Sequence, residues 1–177
     1  KIALVHPAGS NWMPGKKDVT ATANRMAPLG LLSMAATLVK KGHEVMVHDC
    51  LGPRAPQGTE ANGGILLDFR PDLVGFSATT SGFLDGCDLA SFLKGADPGI
   101  RTVFGGVHIS AMGAPLLEDF EQIDCLCMGE GERTLEELAS DRDPGRIHGL
   151  AWRKNGSPAA NPPREPIPDL DALPFPA

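Results

Sequence analysis

The sequence predicts an α/β protein in which a five-stranded parallel sheet is covered by helices on both faces, an arrangement called doubly wound. Short apolar segments alternate with longer amphipathic segments along the chain. The short segments lack the alternation of polar and apolar residues that is typical of a strand with one solvent-exposed face. Both faces of these strands are therefore expected to be buried. A chain of 177 residues is long enough to bury such a core without disulfides or metals.

Five strands are predicted, and their ranges are Lys1–His6, His43–Asp49, Asp72–Ala78, Arg101–Gly106 and Asp124–Glu130. A long loop rich in glycine, proline and asparagine follows the first strand. The first helix is expected to begin at Pro28, which suits a first helical turn, and to stop at Gly42. The other predicted helices are Gly64–Arg70, Ser81–Ala96, Ser110–Phe120 and Glu130–Ser140. Five such units joined by right-handed crossovers correspond to a flavodoxin-like or Rossmann-like fold.

The last part of the chain has a different composition. It contains one predicted strand, Gly149–Lys154, a turn at Asn155-Gly156, and seven prolines from Pro158 onward. We therefore divide the chain into an α/β domain over residues 1–143 and a short strand, turn and proline-rich linker over residues 144–177. A linker of this composition is expected to lead into another folded unit.

Charge and hydropathy exclude several classes of function. The formal net charge of −6 is unsuited to binding nucleic acid or an anionic membrane surface. No apolar run approaches the roughly 18 to 20 residues of a membrane span, so we expect a cytoplasmic protein. The four cysteines contain no C-x-x-C pair and are expected to be buried, reduced thiols; they are Cys50, Cys87, Cys125 and Cys127.

In doubly wound folds, ligands bind at the carboxyl ends of the strands, so the residues just after each strand are informative. The segment after the first strand lacks the G-x-G-x-x-G of a dinucleotide site, although Asp49 ends the second strand. The chain has no G-x-x-x-x-G-K-[ST] phosphate loop. A receiver domain would carry an acidic residue after the third strand, where Ser77 and its neighbours are uncharged.

The fourth strand ends in two adjacent glycines, Gly105 and Gly106. Either they permit a turn with positive φ before a helix, or they let a bulky group lie against the backbone. Both interpretations remain open from the sequence alone.

Motifs at the strand ends resemble those of a known family. Ser77-Ala78-Thr79 and Gly105-Gly106 resemble the S-x-[LT] and GG elements of cobalamin-binding domains. Five segments in order resemble the N-terminal domain of cobalamin-dependent radical S-adenosylmethionine enzymes: PLGLLSMAATLVKKGHEVMVHD, GFSATTS, GGVHIS, MGEGERTLEELA and IPDLDALPFP. The resemblance covers nearly the whole chain.

This resemblance implies that the chain binds cobalamin, with the nucleotide tail entering beside these motifs and the corrin ring lying over the carboxyl edge of the sheet. A flat aromatic tail needs a slot, and glycines would leave one open. The residues expected to contact the cofactor are Leu29, Gly30, Ser77, Ala78, Thr79, Gly105, Gly106, Val107, His108, Met128, Gly129 and Glu130.

His6 is a candidate cobalt ligand. Methyl-carrying cobalamin domains of the methionine synthase type have D-x-H-x-x-G after the first strand, and His6 and Gly9 match its histidine and glycine. Leu4 stands where the aspartate would orient the histidine, and the radical-enzyme family generally lacks this ligand. We therefore expect that His6 does not coordinate cobalt.

The chain itself lacks catalytic groups. Its cysteines do not form the C-x-x-x-C-x-x-C that holds a [4Fe-4S] cluster, and we identify no catalytic residue. The resemblance implies a cobalamin-binding module, inactive alone, of an enzyme whose radical domain would also use that cluster and S-adenosylmethionine, with methyl transfer the commonest outcome. The alternative is a free-standing flavodoxin-like domain that binds a nucleotide or a protein.

Overall fold

A computed structural model describes residues 1–9 and 27–177, and these residues contain one seven-stranded sheet. The strands are β1 (Ile2–His6), β2 (Val45–Asp49), β3 (Leu73–Ser77), β4 (Arg101–Gly105), β5 (Cys125–Cys127), β6 (Leu150–Lys154) and β7 (Ser157–Ala160). The order across the sheet is β2-β1-β3-β4-β5-β6-β7. Strands β1 to β5 pair in parallel, and their order is the flavodoxin-like one of the two predicted alternatives.

The predicted number of strands is wrong, because β6 and β7 add an antiparallel hairpin to the five parallel strands. The hairpin turns at Asn155 and Gly156, whose φ angles of 53° and 84° suit a tight two-residue turn. β7 was missed because it carries Pro158 and two alanines, which are poor strand formers. The hairpin lies beyond residue 143 and extends the same sheet.

The helices described are α1 (Leu29–Lys40), α2 (Thr59–Phe69), α3 (Phe83–Ala96), α4 (Val107–Met112), α5 (Leu116–Asp119) and α6 (Glu132–Ala139). The single helix predicted over Ser110–Phe120 is wrong: α4 ends at Met112 and is capped by Gly113, which has a φ of +70°, and α5 begins after Pro115. Most of the long loop predicted after β1 falls on residues 10–26, outside the described residues.

Two apolar clusters cover the two faces of the sheet. One contains Val74, Phe76 and Phe104 and packs against α3. The other contains Leu4, Val103 and the thiols of β5 and packs against α1 and α6. Successive residues of a strand point to opposite faces, which explains why Val103 and Phe104 belong to different clusters. Within residues 1–9 and 27–177, no helix has the length and hydropathy needed to cross a membrane.

Candidate functional site

A cleft of about 280 Å³ lies at the carboxyl ends of the central strands, between α1 and α6. Its inner wall consists of buried apolar side chains, namely Leu4, Leu31, Val103, Cys127 and Leu135. Glycines and a few polar residues form the outer part. The volume lies just below the range of roughly 300 to 1,000 Å³ that is usual for small-molecule sites, so the cleft suits one flat group rather than a whole large cofactor.

The cleft brings together six of the predicted cofactor-binding residues. They are Gly30, Ser77, Gly105, Gly106, Gly129 and Glu130. Leu29 and Thr79 line a second cavity of about 260 Å³ beside it. Ala78, Val107, His108 and Met128 line neither cavity.

The backbone conformation at position 106 requires a glycine. Its φ is +100°, and a Cβ there would lie 2.8 Å from the carbonyl oxygen of Ala78 and 3.0 Å from its nitrogen. The backbone of Ala78 is held in this place because its N–H donates to the Gly105 carbonyl oxygen at 2.8 Å. The positive-φ turn is therefore confirmed at Gly106, although this glycine also borders the cleft.

Gly105 behaves differently. A Cβ at Gly105 would lie 3.5 Å from the carbonyl oxygen of Cys127 and 3.7 Å from its Cβ, which are ordinary contacts. A Cβ at Gly30 or Gly129 would meet no atom within 4 Å. These three positions could accept a side chain sterically, although the φ of +77° at Gly129 would strain one. Side chains at Gly105 and Gly30 would narrow a cleft that the glycines leave open.

Two carboxylates at the mouth of the cleft are engaged by neighbouring segments. The Ser33 hydroxyl on α1 donates to Glu132 Oε1 on α6 at 3.0 Å, which ties the two helices together. The backbone N–H of Ile167 donates to Glu130 Oε2 at 2.6 Å. Glu130 thus anchors the proline-rich segment at the edge of the cleft.

The proline-rich segment lies against the domain. Arg164 donates from Nε to Thr134 Oγ1 at 2.8 Å and from Nη2 to Glu137 Oε2 at 2.5 Å, both on α6. The Ile167 side chain is buried at 6% exposure, and the N–H of Ala177 donates to the Leu32 carbonyl oxygen on α1 at 3.2 Å. This segment therefore contacts α6 through Arg164 and α1 through Ala177.

Comparison with known proteins assigns the chain to a family. The B12 binding domain family matches residues 15–139. The chain belongs to the B12-binding domain family. The expected resemblance to cobalamin-dependent radical S-adenosylmethionine enzymes is confirmed, because the matching family is a B12 binding domain and a solved enzyme of that class shares the fold.

Two curated relatives align with nearly all of this B12-binding domain. An uncharacterized methyltransferase of Pyrococcus horikoshii is 33% identical over 181 residues, which cover 100% of the chain and 38% of the relative. An anaerobic magnesium-protoporphyrin IX monomethyl ester cyclase of Synechocystis is 30% identical, with 94% of the chain and 32% of the relative covered. The chain thus spans about a third of the length of these relatives.

A solved structure shares the fold. The radical S-adenosylmethionine methyltransferase TsrM from Kitasatospora setae, with cobalamin and a [4Fe-4S] cluster bound, superposes with a TM-score of 0.69 at 22% identity. The match covers 99% of this chain and 31% of TsrM. The flavodoxin-like topology of the B12-binding domain is therefore found in a larger enzyme.

The chemistry of the cleft fits the nucleotide tail of cobalamin. Its inner wall is apolar and its outer part is formed mainly by glycines, which leave room for a flat aromatic base. The residues of the inner wall were not among those predicted from the sequence. Val103 could have been predicted, because it precedes Gly105 by two positions and therefore faces the same side of β4.

His6 of the B12-binding domain has a carboxylate partner that the sequence analysis did not find. His6 Nδ1 lies 3.1 Å from Asp49 Oδ1, which also accepts the backbone N–H of Leu51 at 3.0 Å. The expectation that no carboxylate orients His6 is wrong, because β1 and β2 pair in a register that places His6 beside Asp49. His6 lines the second cavity and not the cleft. Our prediction that His6 does not coordinate cobalt therefore depends on the family resemblance alone.

His108 and Thr79 make local contacts. His108 Nδ1 lies 3.2 Å from Thr80 Oγ1, and its ring packs 4.6 Å from the ring of Phe83, which belongs to the cluster on the other face of the sheet. Thr79 Oγ1 accepts the N–H of Gly82 at 3.3 Å and lies 3.1 Å from Ser81 Oγ. A contact of either residue with the cofactor stays a prediction.

The cysteines are unsuited to nucleophilic chemistry. Burial raises the pKa of Cys127 to about 12, and it does the same for Cys50, Cys87 and Cys125. All four are unpaired; Cys87, Cys125 and Cys127 are buried as expected, whereas Cys50 is only partly buried. In the part of the chain that the structure describes, no three histidine, cysteine or acidic side chains are grouped to hold a metal.

Proposed function

We propose that this B12-binding domain holds cobalamin with the nucleotide tail in the cleft and the corrin ring over the carboxyl ends of β3, β4 and β5. The observation that carries the proposal is a cleft that is apolar inside, bounded by Gly105, and located where doubly wound folds bind ligands. A fully buried benzimidazole would lose roughly 150 to 250 Å² of exposed surface, worth about 4 to 6 kcal/mol before ordering costs.

Residues of this chain would position the cofactor rather than react with it. The open backbone at Gly105 and Gly129 would let the tail pass, and Ser77 would offer a hydroxyl to its polar atoms. Leu29 and Val107, which are 64% and 72% exposed, would give the corrin ring an apolar seat at the sheet edge. Cobalamin itself supplies the cobalt chemistry when it is bound.

We further propose that the domain is part of a longer, cytoplasmic enzyme with a radical S-adenosylmethionine domain, a [4Fe-4S] cluster and methyl transfer as its reaction. The support is that the curated relatives are about three times as long as this chain, and that one of them is described as a methyltransferase. The proline-rich segment would connect the two domains.

The proposal is tested by anaerobic reconstitution of the chain with cob(II)alamin, followed by gel filtration and visible spectroscopy. We expect cobalamin to co-elute with the chain and to show the spectrum of a corrinoid whose base is displaced from cobalt. Saturable binding of a nucleotide such as FMN without uptake of cobalamin would instead support the free-standing flavodoxin-like domain.

A further inference from the structure

The inner end of the cleft offers apolar surface. Leu4, Val103 and Leu135 are 0%, 2% and 3% exposed and converge there from β1, β4 and α6. Leu4 and Val103 also close over Gly75, where a Cβ would lie 3.0 Å from Leu4 Cδ2 and 3.6 Å from Val103 Cγ1. A group that reaches this end therefore contacts hydrocarbon.

Polar atoms near this end already have partners. Thr134, which is fully buried on α6, donates its hydroxyl hydrogen to the His148 carbonyl oxygen at 3.2 Å and accepts Arg164 Nε at 2.8 Å. Among the described residues, every buried side-chain nitrogen or oxygen has a hydrogen-bond partner. At the mouth, Glu130 and Glu132 accept hydrogen bonds from Ile167 and Ser33.

We propose that the cleft selects corrinoids by the base of their tail, and that it takes an apolar benzimidazole in preference to a purine. The proposal rests on the proposed function, because it assumes that the tail enters the cleft. Dimethylbenzimidazole presents two methyl groups to the inner wall. Adenine presents an amino group and further ring nitrogens, which would lose their water against Leu4, Val103 and Leu135 without gaining a partner there.

The experiment measures dissociation constants of the chain for three corrinoids by equilibrium dialysis. The ligands are cobalamin, the corrinoid with an adenine tail, and cobinamide, which has no tail base. We expect the adenine corrinoid to bind about 10- to 100-fold more weakly than cobalamin, equivalent to about 1.4 to 2.8 kcal/mol. Cobinamide should be the weakest of the three.

A pair of threonine variants tests the assignment to the inner wall. Val103→Thr keeps the shape of the side chain and places a hydroxyl in the cleft, so the preference for cobalamin over the adenine corrinoid should shrink several-fold. Val74→Thr makes the same change at a fully buried position on the opposite face and should leave the preference unchanged.

The outcomes separate this inference from the proposed function. Equal affinities for cobalamin and the adenine corrinoid would overturn the inference and leave cobalamin binding intact. Cobinamide binding as tightly as cobalamin would show that the tail lies outside the cleft, and would overturn the inference also. Absence of binding for all three corrinoids would overturn both proposals. The wild-type comparison decides the question even if a threonine variant does not fold.

Discussion

Gly105→Val is the most direct test of the cleft. A Cβ at Gly105 meets only ordinary contacts with Cys127, at 3.5 and 3.7 Å, and valine is a favourable strand residue. The variant should therefore fold. Its two methyl groups would extend beside Cys127, where we propose that the tail base lies against the backbone.

The expected loss of affinity follows from the area that the tail would bury. Exclusion of the base from the cleft removes about 4 to 6 kcal/mol of apolar burial if the base is fully enclosed. At 1.4 kcal/mol for each factor of ten, cobalamin should bind about 10³- to 10⁴-fold more weakly. A tail that shifts and still enters in part would give a smaller loss.

The assay is titration of the chain with cobalamin under visible spectroscopy, with circular dichroism to confirm folding. Cobinamide is the ligand control, because it has no base to exclude and should bind wild type and variant equally. Gly95→Val is the protein control, since a Cβ at this exposed position of α3 meets no atom within 4 Å. It should bind cobalamin as the wild type does.

Unchanged cobalamin affinity in a folded Gly105→Val chain would refute the assignment of the tail to this cleft. An equal loss of cobinamide and cobalamin binding would point to damage at the ring rather than at the tail. Gly106 is unsuitable for the same test, because its positive φ and its contact with Ala78 make any side chain disturb the fold.

Three further predictions concern His6, the four cysteines and Arg164. His6→Ala and Asp49→Asn should leave the electron paramagnetic resonance spectrum of bound cob(II)alamin unchanged, because the family that the chain resembles generally lacks a histidine ligand to cobalt; loss of nitrogen superhyperfine splitting in His6→Ala would show that His6 ligates cobalt. Burial raises the pKa of the four thiols from 9.0 to about 12, so the unfolded chain ionises first and the free energy of unfolding should fall from about pH 9 to pH 12. Denaturant titration should show this slope reduced in Cys127→Ala, and an identical slope would contradict it. Arg164→Ala should release the proline-rich segment from α6, with faster limited proteolysis near residue 164 and a loss of about 1 to 3 kcal/mol in unfolding free energy, whereas Arg146→Ala, at an exposed pair, should behave as wild type.

The parallel strands could be predicted because each is a short apolar run that must be buried on both faces. The ends of β1, β3 and β4 differ from the predicted ends by one residue at most. The hairpin strand β7 could not be predicted, since Ser157–Ala160 has little strand propensity and is stabilised by its pairing with β6. The formation of β7 therefore depends on tertiary contacts rather than on its own sequence.

The sequence predicted only those residues of the candidate site that form short motifs at the strand ends. Gly105 and Gly106 are adjacent in the sequence, yet one borders an open cleft and the other makes a backbone contact, and only the position of Ala78 separates them. The pairing of His6 with Asp49 depends on the register of β1 and β2, which joins residues far apart in the chain. The inner wall likewise comes from three elements at once.

The hairpin β6–β7 covers the edge of the parallel sheet at β5. β5 has only three residues, all buried, and β6 pairs with it along the side that faces away from β4. A chain cut at residue 143 would leave the Cys125-Leu126-Cys127 backbone as an open, apolar sheet edge, which is a template for pairing with another copy. Pro158 on the outermost strand instead ends the sheet with a residue that cannot donate a backbone hydrogen bond. The hairpin thus protects the domain from aggregation through this edge.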